Sequence, residues 1–410
     1  MRSVKLVKTA IRLQQHIATR KSSGVIGKWL AKEIQTLGPL PLKMGQWASN
    51  RADVFGDDFV RELAVLRDDV DPMTPAQVAT VLSKVSDPDL IVHPKPIASA
   101  SIGQVHTGTL RGKKVAVKLR RVNVLDDLLR DSTILGLVVG IMKAVRAPDA
   151  EEAGHLLAEL LASFIHETDF LLEAKTMHDF PDVPGVVIPR PHLHLCTDEI
   201  IVMDFVESVP LETFAKTLNE SQRRRLATTL MQTFMQQLME SSVVHADPHP
   251  GNYGFDARGN IVLYDFGNVV KVDPDFQYSI KLFTLAMISQ NVKEAARILE
   301  EEMHLKVTDP KHLEEWLYAY FEYVRTPGLN ALETFSKIQN VKKQPVIFTP
   351  DLVRLSRAFS ALEGACTRIS PGFNYYQLVE TFADSVILNQ DFMERKAVED
   401  CKKMFDKFKF

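Results

Sequence analysis

Two short segments restrict this chain more than anything else in it. Val243-Val244 leads into His245-Ala246-Asp247-Pro248-His249-Pro250-Gly251-Asn252, and Ile261-Val262 leads into Leu263-Tyr264-Asp265-Phe266-Gly267, with Asn252 and Asp265 thirteen positions apart. Asn252 and Asp265 are oxygen donors, the ligand type that a hard divalent ion such as Mg2+ prefers. Short strands over residues 243–245 and 261–264 would fix the two donors on adjacent rigid elements. Each piece alone is cheap, because Asp-Phe-Gly and His-x-Asp both occur by chance in polar loops with buried carboxylates. In this order and at this spacing they demand a fold that presents two such loops together.

The rest of the chain supplies a layout. At roughly 150 residues per domain, 410 residues make two or three units or one large bilobal one. Residues 24–90 read as helices, broken at Gly38-Pro39-Leu40-Pro41 and Asp71-Pro72-Met73-Thr74-Pro75. Short β-rich runs follow at 104–110 and 114–119 around the turn Arg111-Gly112-Lys113. Helical periodicity returns from 124 to 180, with one helix expected over 159–175, and strand-like segments lie at 186–189 and 199–205. After Pro210 the pattern is helical apart from a loop-rich stretch at 245–270. Residues 275–410 read as a bundle with a Pro/Lys-containing loop near 340–350.

Composition removes several classes. Net charge is −3, from 49 basic and 52 acidic side chains, so no nucleic acid partner is expected. Three scattered cysteines make neither a disulfide framework nor a structural zinc site, which fits a reducing compartment. The longest apolar run, Ile134 to Met142, is nine residues and closes on Lys143, against about twenty for a bilayer span. It reads as a buried helix. Residues 1–32 carry eight Lys or Arg and no acid, with Val4, Val7, Ile11 and Leu6, Leu13, Ile17 at helical spacing. Such an arm suits an anionic membrane surface, an organelle transit peptide, or a solvated helix packed on its own protein.

A small β-containing part followed by a large helical one resembles the two lobes of a protein kinase. In kinase-like enzymes the first Asp of such a loop lies near the acceptor hydroxyl, and the Asn five residues on and the Asp of Asp-Phe-Gly hold metal. The resemblance implies Asp247 and Lys118 as catalytic residues and Asn252 and Asp265 as Mg2+ ligands. Val115-Ala116-Val117-Lys118 resembles the strand whose Lys pairs with the ATP phosphates and a helix Glu, although a Lys closing an apolar strand can also be an edge gatekeeper. Before that strand a typical kinase has Gly-x-Gly-x-x-Gly. Here the loop reads Pro96-Ile97-Ala98-Ser99-Ala100-Ser101-Ile102-Gly103-Gln104-Val105, and its Cβ atoms restrict close approach to phosphate.

That loop, with Lys43-Met44-Gly45-Gln46, Glu167-Thr168-Asp169 and the His245–Asn252 segment, is similar to the UbiB / aarF-domain family of atypical kinases over roughly residues 35–375. Glu363-Gly364 followed by Pro371 resembles the family's carboxy-terminal segment. The implied fold is α+β and bilobal, with a small β-containing N-lobe, a large helical C-lobe and a helical N-terminal extension. The implied division is a basic arm (1–34), an extension carrying the Lys-x-Gly-Gln motif (35–90), an N-lobe with a family-specific helical insertion (91–207) and a C-lobe (208–410). By the same resemblance Lys43 and Gln46 belong to a helix that blocks a protein substrate, and Glu167 and Asp169 face it. Ala98, Ser99, Ala100 and Ser101 replace the glycine loop, Glu173 pairs with Lys118, and the hinge at Asp204 and Val206 offers backbone groups to adenine. Asp169 and Glu173, four apart, would share one helix face.

Three departures stand out. Ser208 follows the hinge where many members have Gly, Ala246 replaces the Arg of typical kinases, and no Ala-Pro-Glu follows Asp265-Phe266-Gly267. The chain ends Phe405-Asp406-Lys407-Phe408-Lys409-Phe410, amphipathic at best. The resemblance implies an ATP- and Mg2+-dependent kinase or ATPase supporting isoprenoid-quinone (ubiquinone) metabolism. It would be peripheral to a membrane: mitochondrial in a eukaryote, on the cytoplasmic face of the inner membrane in a bacterium. Its partners would be surface lipids and a quinone-precursor lipid or quinone-biosynthesis proteins. Two rivals remain: a small-molecule phosphotransferase of the aminoglycoside or choline kinase sort, and a nucleotide-gated scaffold.

Overall fold

Proline cannot donate to a β-ladder and therefore belongs on a sheet edge. Strand β1 (Leu90–Ser99) carries Pro94 and Pro96 and is the edge of a four-stranded antiparallel sheet ordered β1-β2-β3-β5. Its pairing with β2 (Gly103–Leu110) shifts register on either side of Pro96. The computed structural model describes all residues except 1, 20, 50–55, 64, 67–70, 145–149, 250, 326–344, 376, 377, 380–382, 384, 385, 387, 388 and 408–410. Most of the Pro/Lys loop expected near 340–350, and the last three residues of the amphipathic end, lie outside the described residues. The chain divides into two compact units, Met1–Asp179 with Pro189–Phe205 and Phe180–Ile188 with Val206–Phe410.

In the first unit β2 turns into β3 (Lys113–Arg120) through Arg111 (φ 50°) and Gly112 (φ 76°). Positive φ at both central residues is what the twist of a two-residue hairpin asks for. Strand β3 also pairs with β5 (Ile200–Asp204). Val115, Val117 and Leu119 alternate along β3 and join Ile200, Val202, Val78 and Val81 in one core cluster. Period-2 alternation then sends Ala116, Lys118 and Arg120 to the opposite face. Helix α5 (Pro75–Leu82), which supplies Val78 and Val81, starts with a capping box between Thr74 and Gln77 and has Pro75 in its first turn.

The helical extension comprises α1 (Arg2–Ala18), α2 (Ser23–Ile34), α3 (Pro39–Ser49) and α4 (Asp57–Leu63). Gly45 in α3 is a packing glycine: a Cβ there would lie 2.5 Å from Leu66 Cδ1 and 3.0 Å from Ile34 Cδ1. Helix α3 also places Leu40 with Val124, Leu128 and Phe164, which lie on α6 (Val124–Ala144) and α7 (Ala150–Glu167). In α1, Leu6 is buried and Leu13 partly so, while Val7 and Ile11 stand exposed between cations. The apolar run expected as a buried helix is α6, but Leu137 is 65% exposed there. Among the described residues no helix is long and apolar enough to cross a membrane.

Two other expectations need correction. The helix expected over 159–175 is broken at Thr168-Asp169 into α7 and α8 (Phe170–Asp179). Asp169 lies at the start of α8, its carbonyl accepting the Glu173 N–H at 3.1 Å one turn on, and it caps that helix, its Oδ1 accepting the Leu172 N–H at 3.0 Å. In the second unit β7 (Val243–His245) pairs with β10 (Val269–Lys271). Strand β9 (Ile261–Leu263) belongs to a different sheet, ordered β4-β9-β8-β6, with β4 (Val186–Val187), β8 (Tyr253–Phe255) and β6 (Val209–Pro210). The two strands expected to be adjacent are thus not neighbours.

Helices α9 (Leu211–Lys216), α10 (Glu220–Glu240), α11 (Pro274–Ile288), α12 (Val292–Arg297), α13 (Pro310–Arg325), α14 (Pro350–Ile369) and α15 (Gln390–Lys407) make up most of the remaining second unit. Helix α10 opens on a capping box of Asn219 and Gln222 and packs along α14, with Phe234 and Phe359 rings 6.3 Å apart. The Cys366 thiol on α14 donates to the Ala227 carbonyl at 3.4 Å, and its burial pushes its pKa up to about 12. It is a structural thiol, kept neutral.

Candidate active site

In the first unit, β3 aims Lys118 away from the core toward α8. Lys118 Nζ donates to both carboxylate oxygens of Glu173, at 2.7 and 2.8 Å, and lies 5.0 Å from the Phe170 ring centroid. The Glu173 side chain is only 4% exposed and that of Lys118 only 12%. Low dielectric strengthens such a pair while making either partner costly alone. Lys43 on α3 meets Glu167 at 2.6 Å, the last residue of α7. Asp169, the other acid of the Glu-x-Asp motif, is occupied as the α8 cap.

Two arginines that the sequence reading did not single out organise these residues. Arg120, two places beyond Lys118 on the same face, donates to the Thr168 carbonyl at 2.8 Å and to Glu199 Oε1 at 2.6 Å. It thereby holds the break between Glu167 and Asp169. Arg121 donates to the Ala100 carbonyl and Ser99 Oγ, both at 2.8 Å, and to the Asp71 carbonyl at 2.7 Å. With the Ala100 N–H bonded to the Gly103 carbonyl at 2.8 Å, the Ala98–Ser101 turn is pinned from inside. A drape of bare glycine is replaced by a fixed turn. The same-face period of Lys118 and Arg120 was the available signal for Arg120. Arg121 had none.

Glu199 also receives Lys84, and burial opposes its ionisation, yet the Lys84 and Arg120 bonds outweigh that and hold its carboxyl below the usual range. A depressed carboxyl stabilises fully above its unfolded pKa, about 4.3, and loses that contribution as pH falls through the folded value. Glu199→Gln is therefore expected to cost about 1–2 kcal/mol at pH 7. The difference from the parent should shrink below about pH 4. Urea unfolding across pH checks this; a constant gap down to pH 3 would contradict it.

At the strand end, the Asp204 N–H is bonded to the Arg190 carbonyl (2.9 Å) and its carboxylate to His192 Nε2 (3.1 Å). The Phe205 N–H goes to the Lys114 carbonyl at 3.3 Å. Asp204 thus has no main-chain donor to give to adenine. Among the described residues, the next donor along, Val206 N–H, meets no protein acceptor.

The second unit holds Asp247, Asn252 and Asp265. Asn252 Nδ2 donates to the Asp247 carboxylate at 2.8 Å and to its carbonyl at 3.1 Å. With the amide nitrogen committed, Asn252 presents its oxygen. Asp265 Oδ1 accepts the Gly267 N–H at 2.9 Å, and His245 Nε2 donates to the Asp265 carbonyl at 2.6 Å. His245 is itself hung from α10, its N–H bonded to Gln237 Oε1 at 3.0 Å. The β8–β9 ladder pairs Tyr253 with Leu263, and the Tyr264 N–H bonds the Asn252 carbonyl at 2.9 Å, so Asp265 follows directly from Asn252's neighbour. Among the described residues no three His, Cys, Asp or Glu side chains form a metal cluster. Two oxygen donors and a phosphate are what Mg2+ commonly takes from a nucleotide site, so the donor set fits.

A lysine–glutamate pair on a β3 face, an Asp–Asn loop and an Asp-Phe-Gly turn on an α+β frame define a protein-kinase-like protein. The ABC1 atypical kinase-like domain matches residues 65–299, and the chain belongs to that family, the UbiB group of atypical kinases. Among relatives, the chloroplastic Arabidopsis thaliana protein Activity of bc1 complex kinase 7 is 24% identical over 379 residues, 88% of this chain and 54% of that protein. An uncharacterized chloroplastic aarF domain-containing protein kinase from the same plant is 27% identical over 370 residues, 86% and 52%. The chain spans about half the length of these relatives. The solved structure of Rv3197 with erythromycin, from Mycobacterium tuberculosis, superposes with a TM-score of 0.58 at 21% identity, over 73% of this chain and 80% of that one. That likeness shows the fold.

Proposed function

We propose that this chain is an ATP- and Mg2+-dependent ATPase or kinase, acting peripherally at a membrane in isoprenoid-quinone metabolism. The observation that carries the nucleotide part is the bidentate Lys118–Glu173 pair, which fixes one ammonium at a single place on the β3 face. Lys118 takes phosphate oxygens, and Asn252 and Asp265 are the oxygen donors for Mg2+. When bound, Mg2+ neutralises charge on the phosphate tail. The Asp247 carboxylate, oriented by Asn252, accepts the proton of a hydroxyl or positions water. Val206 N–H is the hinge donor for adenine. The Lys43–Glu167 bond anchors α3, the helix that carries the Lys-x-Gly-Gln motif.

The quinone setting is what the resemblance to the UbiB family implies, and the name of one plant relative refers to activity of the bc1 complex. The exposed Val7 and Ile11 among cations support lipid-surface contact, and the chloroplastic relatives support an organelle in a eukaryote. In a bacterium the corresponding place is the cytoplasmic face of the inner membrane. The pinned Ala98–Ser101 turn favours a second reading, a nucleotide-gated scaffold with little turnover. Phosphate release by the purified protein tests both, with and without anionic vesicles and a quinone-precursor phenol. Turnover raised by vesicles or phenol is expected. Tight ATP binding with no turnover under any condition would favour the scaffold, and transfer to a soluble alcohol would favour a small-molecule phosphotransferase.

A further inference from the structure

Ser208, the departure at the hinge exit, is not idle. Its Oγ lies 2.6 Å from the Tyr264 hydroxyl and donates to the Val206 carbonyl at 3.3 Å. Ser208 has one hydroxyl proton, so the Tyr264 O–H is the donor between the two. Tyr264 in turn sits between the two metal-ligand positions, its N–H bonded to the Asn252 carbonyl and its own carbonyl carbon joined to Asp265. To reach Ser208 the ring crosses β8 over Gly254. A Cβ at Gly254 would overlap the Tyr264 hydroxyl and lie 2.8 Å from the Val209 carbonyl. Val209-Pro210 of β6 pairs with Phe255-Gly254 of β8, so Ser208 is delivered to the far side of that same glycine.

We propose that Tyr264 and Ser208 are positioning residues: a relay running from the Val206 carbonyl through both hydroxyls to the Asn252–Asp265 turn sets the geometry of the metal ligands. The proposal rests on the assignment of Asn252 and Asp265 to Mg2+. Small hydrogen bonds behind ligands matter because their loss lets the donors swing; removing such partners typically costs 10–100-fold in metal affinity. Glycine at 208 would lack the hydroxyl, and the relay would end at a half-buried phenol that has lost this acceptor.

The test compares the full-length protein with Tyr264→Phe, Ser208→Ala and the double variant. Fluorescent ATP-analogue binding is titrated with Mg2+, and amide exchange of the 261–268 peptide is measured without nucleotide. Each single variant is expected to raise the half-saturating Mg2+ roughly tenfold while leaving metal-free nucleotide affinity within about twofold. The double variant should be no worse than Ser208→Ala, because both single changes remove the Ser208–Tyr264 bond. Exchange should be faster in all three. Additive losses, equal losses with and without Mg2+, or unchanged half-saturation would overturn the relay. Should the parent protein show no Mg2+-dependent nucleotide binding, the functional assignment fails and the exchange data decide the relay by themselves: protection lost alike in both single variants upholds it, and unchanged protection overturns it.

Discussion

Lys118→Met is expected to abolish ATP binding and to cost the protein about 3–5 kcal/mol of stability, the usual penalty for removing one partner of a buried ion pair. Glu173 would remain inside, its side chain only 4% exposed, without the ammonium that now meets both its oxygens. A second change separates the two effects. Lys118→Met with Glu173→Gln removes the stranded charge, so most of the stability should return while nucleotide binding stays lost. Urea unfolding reads the first effect and equilibrium ATP binding the second. If the single variant were as stable as the parent, the pair would not be the buried contact described. If the double variant bound ATP normally, Lys118 would be a structural lysine and the phosphate role would go elsewhere.

Asp265→Asn is the cleaner catalytic test because it should fold. The Gly267 N–H can still be accepted by an amide oxygen, and the His245 bond reaches the main-chain carbonyl, which the substitution does not touch. The substitution removes the negative charge and turns one acceptor oxygen into an N–H donor. Mg2+-dependent ATP turnover is expected to fall by on the order of 100-fold or more, as for removal of a transition-state charge partner. Thermal unfolding should shift little. Undiminished turnover would remove Asp265 from the metal and, with it, the reading of the Asp-Phe-Gly turn.

Much of this was legible in the sequence, and the reason is chemical. A lysine closing an apolar strand, an Asp–Asn loop and an Asp-Phe-Gly turn are local patterns, so Lys118, Asp247, Asn252 and Asp265 can be picked out as candidates from the sequence. The break at Asp71–Pro75 was legible too, because Thr74, Pro75 and Gln77 carry a local helix-start signal. What escaped is non-local. Two prolines disguised β1, whose strand character comes from its edge position. Strands β7 and β9 are three residues each, too short for periodicity to choose their partners. The break at Thr168 was hidden because Arg120, forty-eight residues earlier, holds the Thr168 carbonyl. Gly254 and Tyr264 look unremarkable apart and interlock only when β8 and β9 pair. The apolar run in α6 carried no mark of which of its sides would be covered.

Calorimetric titration of the purified full-length chain with ATP, in Mg2+ and then in excess chelator, addresses the central assignment with no variant needed. Saturable one-to-one binding that weakens at least about tenfold on chelation is the expected result, since the oxygen donors act through the cation. Binding of equal strength with and without Mg2+, or no binding at all, would contradict it.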